Sequence, residues 1–252
     1  MSTLTLSAPA PASAVPHTGM KGLGALLVGT ALLAFAPLAI LAPAIGWPAS
    51  LGAPAGVQLA AIAARPDAVA FGYGVYLLYS MLIAPAMIGL AARVFGGLHG
   101  PLASTVAAFA ALSALARAIG ILRWLTVMPS LAAAHARGDA IARGPIEALF
   151  GALTAYGGGI GEVLGVSLFM AASVGTLSGA ALVRGGMPRA LAAGGMVVAL
   201  MLAALAAPEF RLPEFMPVAA AVTALSVWMI AVGVWVSVLP AARRAIGSAI
   251  MR

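Results

Sequence analysis

Apolar residues in this chain form long unbroken runs, punctuated by short clusters of proline, glycine and charge. The runs cover about 22–46, 69–95, 102–128, 160–183, 190–207 and 218–239. Each comes close to or exceeds the roughly 20 residues that cross a hydrocarbon core of about 30 Å at 1.5 Å per residue. They do not alternate at period two, which excludes the strands of a membrane barrel. Helices are then the remaining way to satisfy the backbone in lipid. The pattern predicts an all-α fold: a polytopic membrane bundle of six transmembrane helices spanning residues 21–240.

The segments between the runs carry their own signals. Residues 1–20 are rich in Ala, Pro, Ser and Thr without acidic or Lys/Arg charge, and are expected to be a disordered tail. Pro37 and Pro43 are placed to kink the far half of the first span. Residues 47–68 form a proline-rich connector in which Val57 to Arg65 fits a short interfacial helix, and Asp67 could cap the next span. Residues 129–145 are expected to be a polar connector that ends at Pro145, the favoured first position of a helix. Glu147 follows in that helix's first turn. From Pro145 to Val183 nothing forces a stop except a glycine cluster, yet a helix of that length would measure about 58 Å. Residues 146–156 are therefore expected to be interfacial or re-entrant, with a bend at Gly157–Gly159 leading into the fourth span.

Charge orients the bundle. With both termini cytoplasmic, the inner segments hold Lys21, Arg93, Arg184, Arg189, Arg243, Arg244 and Arg252 and no acidic residue. The outer segments hold Arg65, Arg137, Arg143 and Arg211 beside Asp67, Asp139, Glu147, Glu209 and Glu214. This is a positive-inside partition, with residues 241–252 as a basic cytoplasmic tail. It also accounts for the net charge of +7, which in a soluble chain would point to nucleic acid. No nucleic-acid partner is expected here. Composition agrees: 63% of residues are hydrophobic and 8% charged, against roughly 25% charged in soluble domains. Alanine and glycine richness resembles that of a GC-rich bacterial genome, so the expected location is a bacterial cytoplasmic membrane.

Three ionisable groups remain inside the spans: Arg117 and Arg123 on the third and Glu162 on the fourth. A charge at a helix centre costs roughly 2.5–3.5 kcal/mol, so such residues need partners. The alternating directions of the spans put all three in the outer half, and Glu162 is expected to pair with Arg117, Arg123 or both. Trp124 and Tyr156 could wall the site. Gly157, Gly161 and Gly165 share one face of the fourth span, and Gly175 and Gly179 continue the spacing. With Gly120 between the two arginines, this small-residue stripe would let two helices approach closely. Tyr73, Tyr76 and Tyr79, three apart, read as interfacial or packing aromatics.

Two arginines and one glutamate leave one positive charge in an apolar setting. A phosphate, a carboxylate or an anionic lipid headgroup would complete it. The alternative is a structural or accessory subunit, whose glycine face packs a membrane partner or a second copy of itself. Catalysis is not expected. The chain has no His-Glu-x-x-His zinc motif, no Gly-x-Ser-x-Gly elbow and no Walker loop. Cysteine is absent, and the methionines are scattered without a copper-binding run, so no cofactor or metal is expected. His135 and Asp139, four apart, read as a solvated loop pair.

The stretch Arg117-Ala-Ile-Gly-Ile-Leu-Arg123-Trp124, followed by Pro129-Ser-Leu-Ala-Ala-Ala and by Gly161-Glu162-Val-Leu-Gly165, resembles a bacterial family of six-span membrane proteins. That family carries a domain-of-unknown-function label. Members often place a tryptophan after the Gly-Glu motif, where this chain has Phe169-Met-Ala-Ala. The resemblance implies a six-span fold and draws attention to these residues. It brings no reaction with it.

Overall fold

The computed structural model describes residues 17–250, with side chains described from 21 to 238. The expected tail at 1–20 lies outside them except for His17–Met20, which begin the first helix. The side chains of the basic tail at 241–252 lie outside them too. The described chain is helical, without strands. Its helices are α1 (His17–Leu33), α2 (Ala36–Ile45), α3 (Ala55–Ala64), α4 (Pro66–Phe95), α5 (Pro101–Arg137), α6 (Ala140–Gly158), α7 (Met170–Arg184), α8 (Arg189–Ala204) and α9 (Val218–Ile250). A π-helical segment, Gly159–Phe169, joins α6 to α7.

Five helical stretches are long and apolar enough to cross a membrane: Lys21–Ile45, Pro66–Phe95, Pro101–Arg137, Ala140–Arg184 and Val218–Val238. The sixth apolar run is α8, which has 16 residues and measures about 24 Å. Large apolar side chains such as Phe71, Leu78, Leu200 and Val227 are exposed on the outside of the bundle, as expected where lipid is the solvent.

Several local expectations change. The first span breaks at Ala34–Phe35, because Pro37 has no amide to donate to the Leu33 carbonyl four residues back and its ring crowds that carbonyl. The connector helix is Ala55–Ala64, close to the predicted one. Pro66 opens α4 and Asp67 sits in its first turn without making a side-chain cap. The third span does not stop at Pro129; α5 runs on to Arg137 and absorbs half of the expected connector. Asp139, not Pro145, starts the next helix. Its carboxylate accepts from the amides of Ile141 and Ala142 at 3.1 and 2.9 Å, which satisfies two otherwise free donors. Pro145 therefore lies inside α6.

The largest correction concerns the bend expected at Gly157–Gly159, which would have set residues 146–156 apart from the fourth span. They belong to one continuous helical stretch, Ala140–Arg184. Gly158 and Gly159 keep right-handed helical backbone, so the glycine cluster does not interrupt the helix. It leads instead into wider turns. Helices carry such i→i+5 turns as local insertions, and they change which residues share a face.

Helix α5 is the hub. It packs on α4, on α7 and on the π segment, and α1 and α8 flank α9. The α5–π contact is antiparallel and runs in register. The hydroxyl of Ser173 donates to the Val106 carbonyl at 3.0 Å, and Ser113 donates to the Gly165 carbonyl at 2.7 Å. Further along, Gly120 lies against Gly161 and Arg123 against Gly157. A Cβ on Gly120 would stand 2.8 Å from the Gly161 Cα and 2.9 Å from the Gly157 carbonyl oxygen. One on Gly165 would stand 2.8 Å from Arg117 Cγ. The stripe Gly157–Gly161–Gly165 is thus consumed inside the chain. Gly175 and Gly179 face α8, near Ala199 and Met196.

Because the atoms opposite Gly120 are backbone, they cannot step aside. Gly120→Ala is expected to destabilise the protein by about 1–3 kcal/mol through overpacking, more than helix propensity returns. Gly151 has nothing within 4 Å of an added Cβ, so Gly151→Ala is expected to be neutral or slightly stabilising. Thermal unfolding in detergent compares the two; equal melting temperatures would mean the helices do not touch at Gly120.

Candidate functional site

Charge buried in an apolar bundle locates the site. Arg117 is 2% exposed although it carries an obligatory charge. Its Nη1 donates to the Tyr79 hydroxyl at 3.3 Å, and its guanidinium carbon lies 5.6 Å from the Tyr79 ring centroid. Its Nε and Nη2 have no protein partner. One turn and a half further along α5, Arg123 is half-buried. Its guanidinium lies over the Trp124 ring, 5.4 Å from the centroid, and runs across Gly157, where any side chain would collide with it. Its Nε is likewise without a partner.

Both arginines line one cavity of about 360 Å³. Glu162 lines it too, near enough to Arg123 to feel its charge but not in direct contact with it. Among the described residues the one ion pair is His135–Glu147, and Glu162 reaches neither guanidinium. The expected Arg–Glu salt bridge is therefore absent. The antiparallel packing of α5 on the helix through Gly157–Gly165 puts the three groups in one cavity, and the π segment sets their separation. Gly161 and Val166, both in this segment, stand five apart and line the cavity together, as do Glu162 and Gly157 of the last turn of α6. An α-helix would align residues three and four apart, so Glu162 would sit on the flank of the glycine face. Instead it looks into the cavity beside Gly161 and stays exposed.

The remaining wall is aromatic. Tyr73 stacks on Trp124 with centroids 4.7 Å apart and planes 4° from parallel. Tyr76 meets the edge of Trp47 at 5.9 Å and lies near Tyr79 at 6.0 Å. All five rings line the cavity. Tyr73 and Tyr79 are each 2% exposed, and the Tyr73 hydroxyl has no partner. The tyrosine trio packs in the core, one of the two roles its spacing suggested, and lines the cavity as well. Its spacing of three was the visible signal, but spacing alone does not say which neighbour a helix face will meet. Tyr156 is 73% exposed and does not line the cavity; Trp124 does.

The site lies at the seam of two core clusters. Tyr79 and Val166 belong to the larger one, built on α1, α4, α5, α7, α8 and α9. Tyr73, Ile121 and Trp124 belong to the smaller one, built on α2 to α6. The smaller cluster is pinned by the His135 Nε2–Glu147 Oε1 contact of 2.8 Å, which ties the end of α5 to α6 against Gly56 of α3. His135 is thus buried in the last turn of α5, not in a solvated loop, and its neighbour Asp139 is a helix cap. No group of three metal-ligating side chains occurs among the described residues.

No family model, curated protein or solved structure matches the chain. The geometry of the cavity is therefore the ground for a functional reading.

If Arg117 and Glu162 are not paired, their mutual dependence in the ligand-free protein is small. A double-mutant cycle on unfolding, using Arg117→Gln and Glu162→Gln, is expected to give a coupling below about 0.5 kcal/mol. A coupling of about 2 kcal/mol or more would restore the ion pair.

Proposed function

We propose that the protein is a six-span membrane protein, with α8 as the short span and both termini cytoplasmic, that binds an anionic group in the Arg117–Arg123 cavity. The observation that carries this reading is Arg117, which is buried, charged and short of acceptors. Removing a guanidinium from water costs several kcal/mol and is offset only by good partners. The Tyr79 hydroxyl and ring supply part of that compensation. A phosphate or carboxylate oxygen would supply the rest, with charge-assisted hydrogen bonds of the strongest kind. The anion is a lipid headgroup or a small solute, and the role is non-enzymatic, as in a transporter or sensor. The connector of residues 46–65 covers this end of the bundle, which the charge partition assigns to the outer face.

The alternative, an accessory subunit docking through its glycine stripe, has less support. That face is filled by α5.

Binding tests the reading directly. In detergent-solubilised protein, phosphatidylglycerol or inorganic phosphate is expected to raise the unfolding temperature, and Arg117→Gln to weaken that effect at least tenfold. An anion response that survives in Arg117→Gln would place the site elsewhere. The topology has its own test. The chain lacks cysteine, so single cysteines report sidedness without background. Cysteine at Arg137 is expected to react with an impermeant thiol reagent added outside whole cells, and cysteine at Arg93 or Arg184 only after permeabilisation. Labelling of all three from outside would break the six-span arrangement.

A further inference from the structure

The cavity is dipolar, not simply positive. Arg117 and Arg123 lie along the α5 wall, while Glu162 enters from the π segment and forms a salt bridge with neither. Glu162 is exposed toward the cavity and accepts no hydrogen bond from either guanidinium, so its carboxylate is open to a cationic group that enters beside the anion. The aromatic wall has the same two-sided character. Tyr and Trp faces attract cations as well as guanidinium groups, and the Tyr76 and Trp47 rings remain free of the arginines. A purely anionic ligand would satisfy Arg117 and leave Glu162 without a partner.

On the side away from α5 the cavity is bounded by apolar groups. Phe35 and Leu38 flank it from the start of α2, and Val218 and Val222 from the start of α9. Phe35, Leu38 and Val218 are 40, 43 and 49% exposed, so this rim faces outward. Helix α9 takes its packing from α1 and α8, which leaves its first turns free to border the opening. The rim thus gives acyl chains a sideways path from a polar cavity into hydrocarbon.

From these observations we infer that the ligand of this site is an aminophospholipid: its phosphate meets Arg117, its ammonium meets Glu162, and its chains leave between α2 and α9. This rests on the anion site proposed above and names its ligand class. Charge order does the selecting. Two cationic side chains and one anionic one match a headgroup that carries phosphate and ammonium together.

Short-chain dihexanoyl lipids separate the possibilities by calorimetry or native mass spectrometry of the full chain in detergent. Phosphatidylethanolamine is expected to bind at least tenfold more tightly than phosphatidylglycerol. Glu162→Gln is expected to remove that preference while phosphatidylglycerol still binds, and Glu162→Asp to keep it. Equal binding of the two lipids by the wild-type protein overturns the amine assignment and leaves the anion site standing. Binding of neither lipid overturns the lipid assignment, and the anion site falls with it where inorganic phosphate also fails to bind. Glycerophosphoethanolamine, the headgroup without chains, is expected to bind at least tenfold more weakly than the lipid; equal affinity would overturn the chain path between α2 and α9.

Discussion

The contact between Gly120 and Gly161 sets the geometry of this bundle. In lipid there is little hydrophobic drive to bring helices together, so close van der Waals packing must supply it. A Cβ on either glycine would enter the other's backbone within 3.2 Å. Around that point α5 and the continuous helix that contains the Gly159–Phe169 segment run side by side, from Val106 and Ser173 at one end to Arg123 and Gly157 at the other. Ser113 and Ser173 then reach across to carbonyls on or from the neighbouring helix. Such hydroxyl bonds contribute about 0.6 kcal/mol each in membrane bundles, so they fix register more than they drive association.

The same contact creates the cavity. Glycine at 157, 161 and 165 removes side chains where Arg117 and Arg123 need space, and the guanidinium of Arg123 lies where a Gly157 side chain would be. Close packing and buried charge are therefore one design. The helix that approaches most tightly also leaves room for the two groups hardest to bury. The π turns add the remaining element by turning Glu162 from the flank of the glycine face toward the cavity. Widened turns commonly mark functional sites, because they aim a side chain that regular helix would point elsewhere.

The aromatic wall explains how the arginines persist in an apolar bundle. Each guanidinium rests against a ring, Arg117 against Tyr79 and Arg123 against Trp124. Such contacts gain strength when water is excluded, reaching about 2 kcal/mol. They offset part of the burial cost without using the hydrogen-bond donors, which stay available. A full ion pair with Glu162 would have consumed them. The absence of that pair leaves those donors free, which is the ground of the anion site proposed here.

Long apolar runs, the charge partition and the intramembrane residues Arg117, Arg123 and Glu162 were legible in the sequence, because hydrocarbon imposes its demands locally, residue by residue. The glycine stripe was legible as a face for close approach, since helix periodicity is a local property. Its partner was not: whether Gly157–Gly161–Gly165 meets α5 or another molecule depends on how distant helices dock. The helix continuing through 146–159 was hidden for a related reason. Glycine lowers helix propensity, but tertiary packing on α5 outweighs a cost of about 1 kcal/mol per residue. The π turns, the break between Glu162 and the arginines, and the gathering of Tyr73, Tyr76, Tyr79 and Trp47 around one cavity were decided by the tertiary structure alone. Each depends on a small rotation or displacement of one helix against another, and no spacing along the chain encodes that.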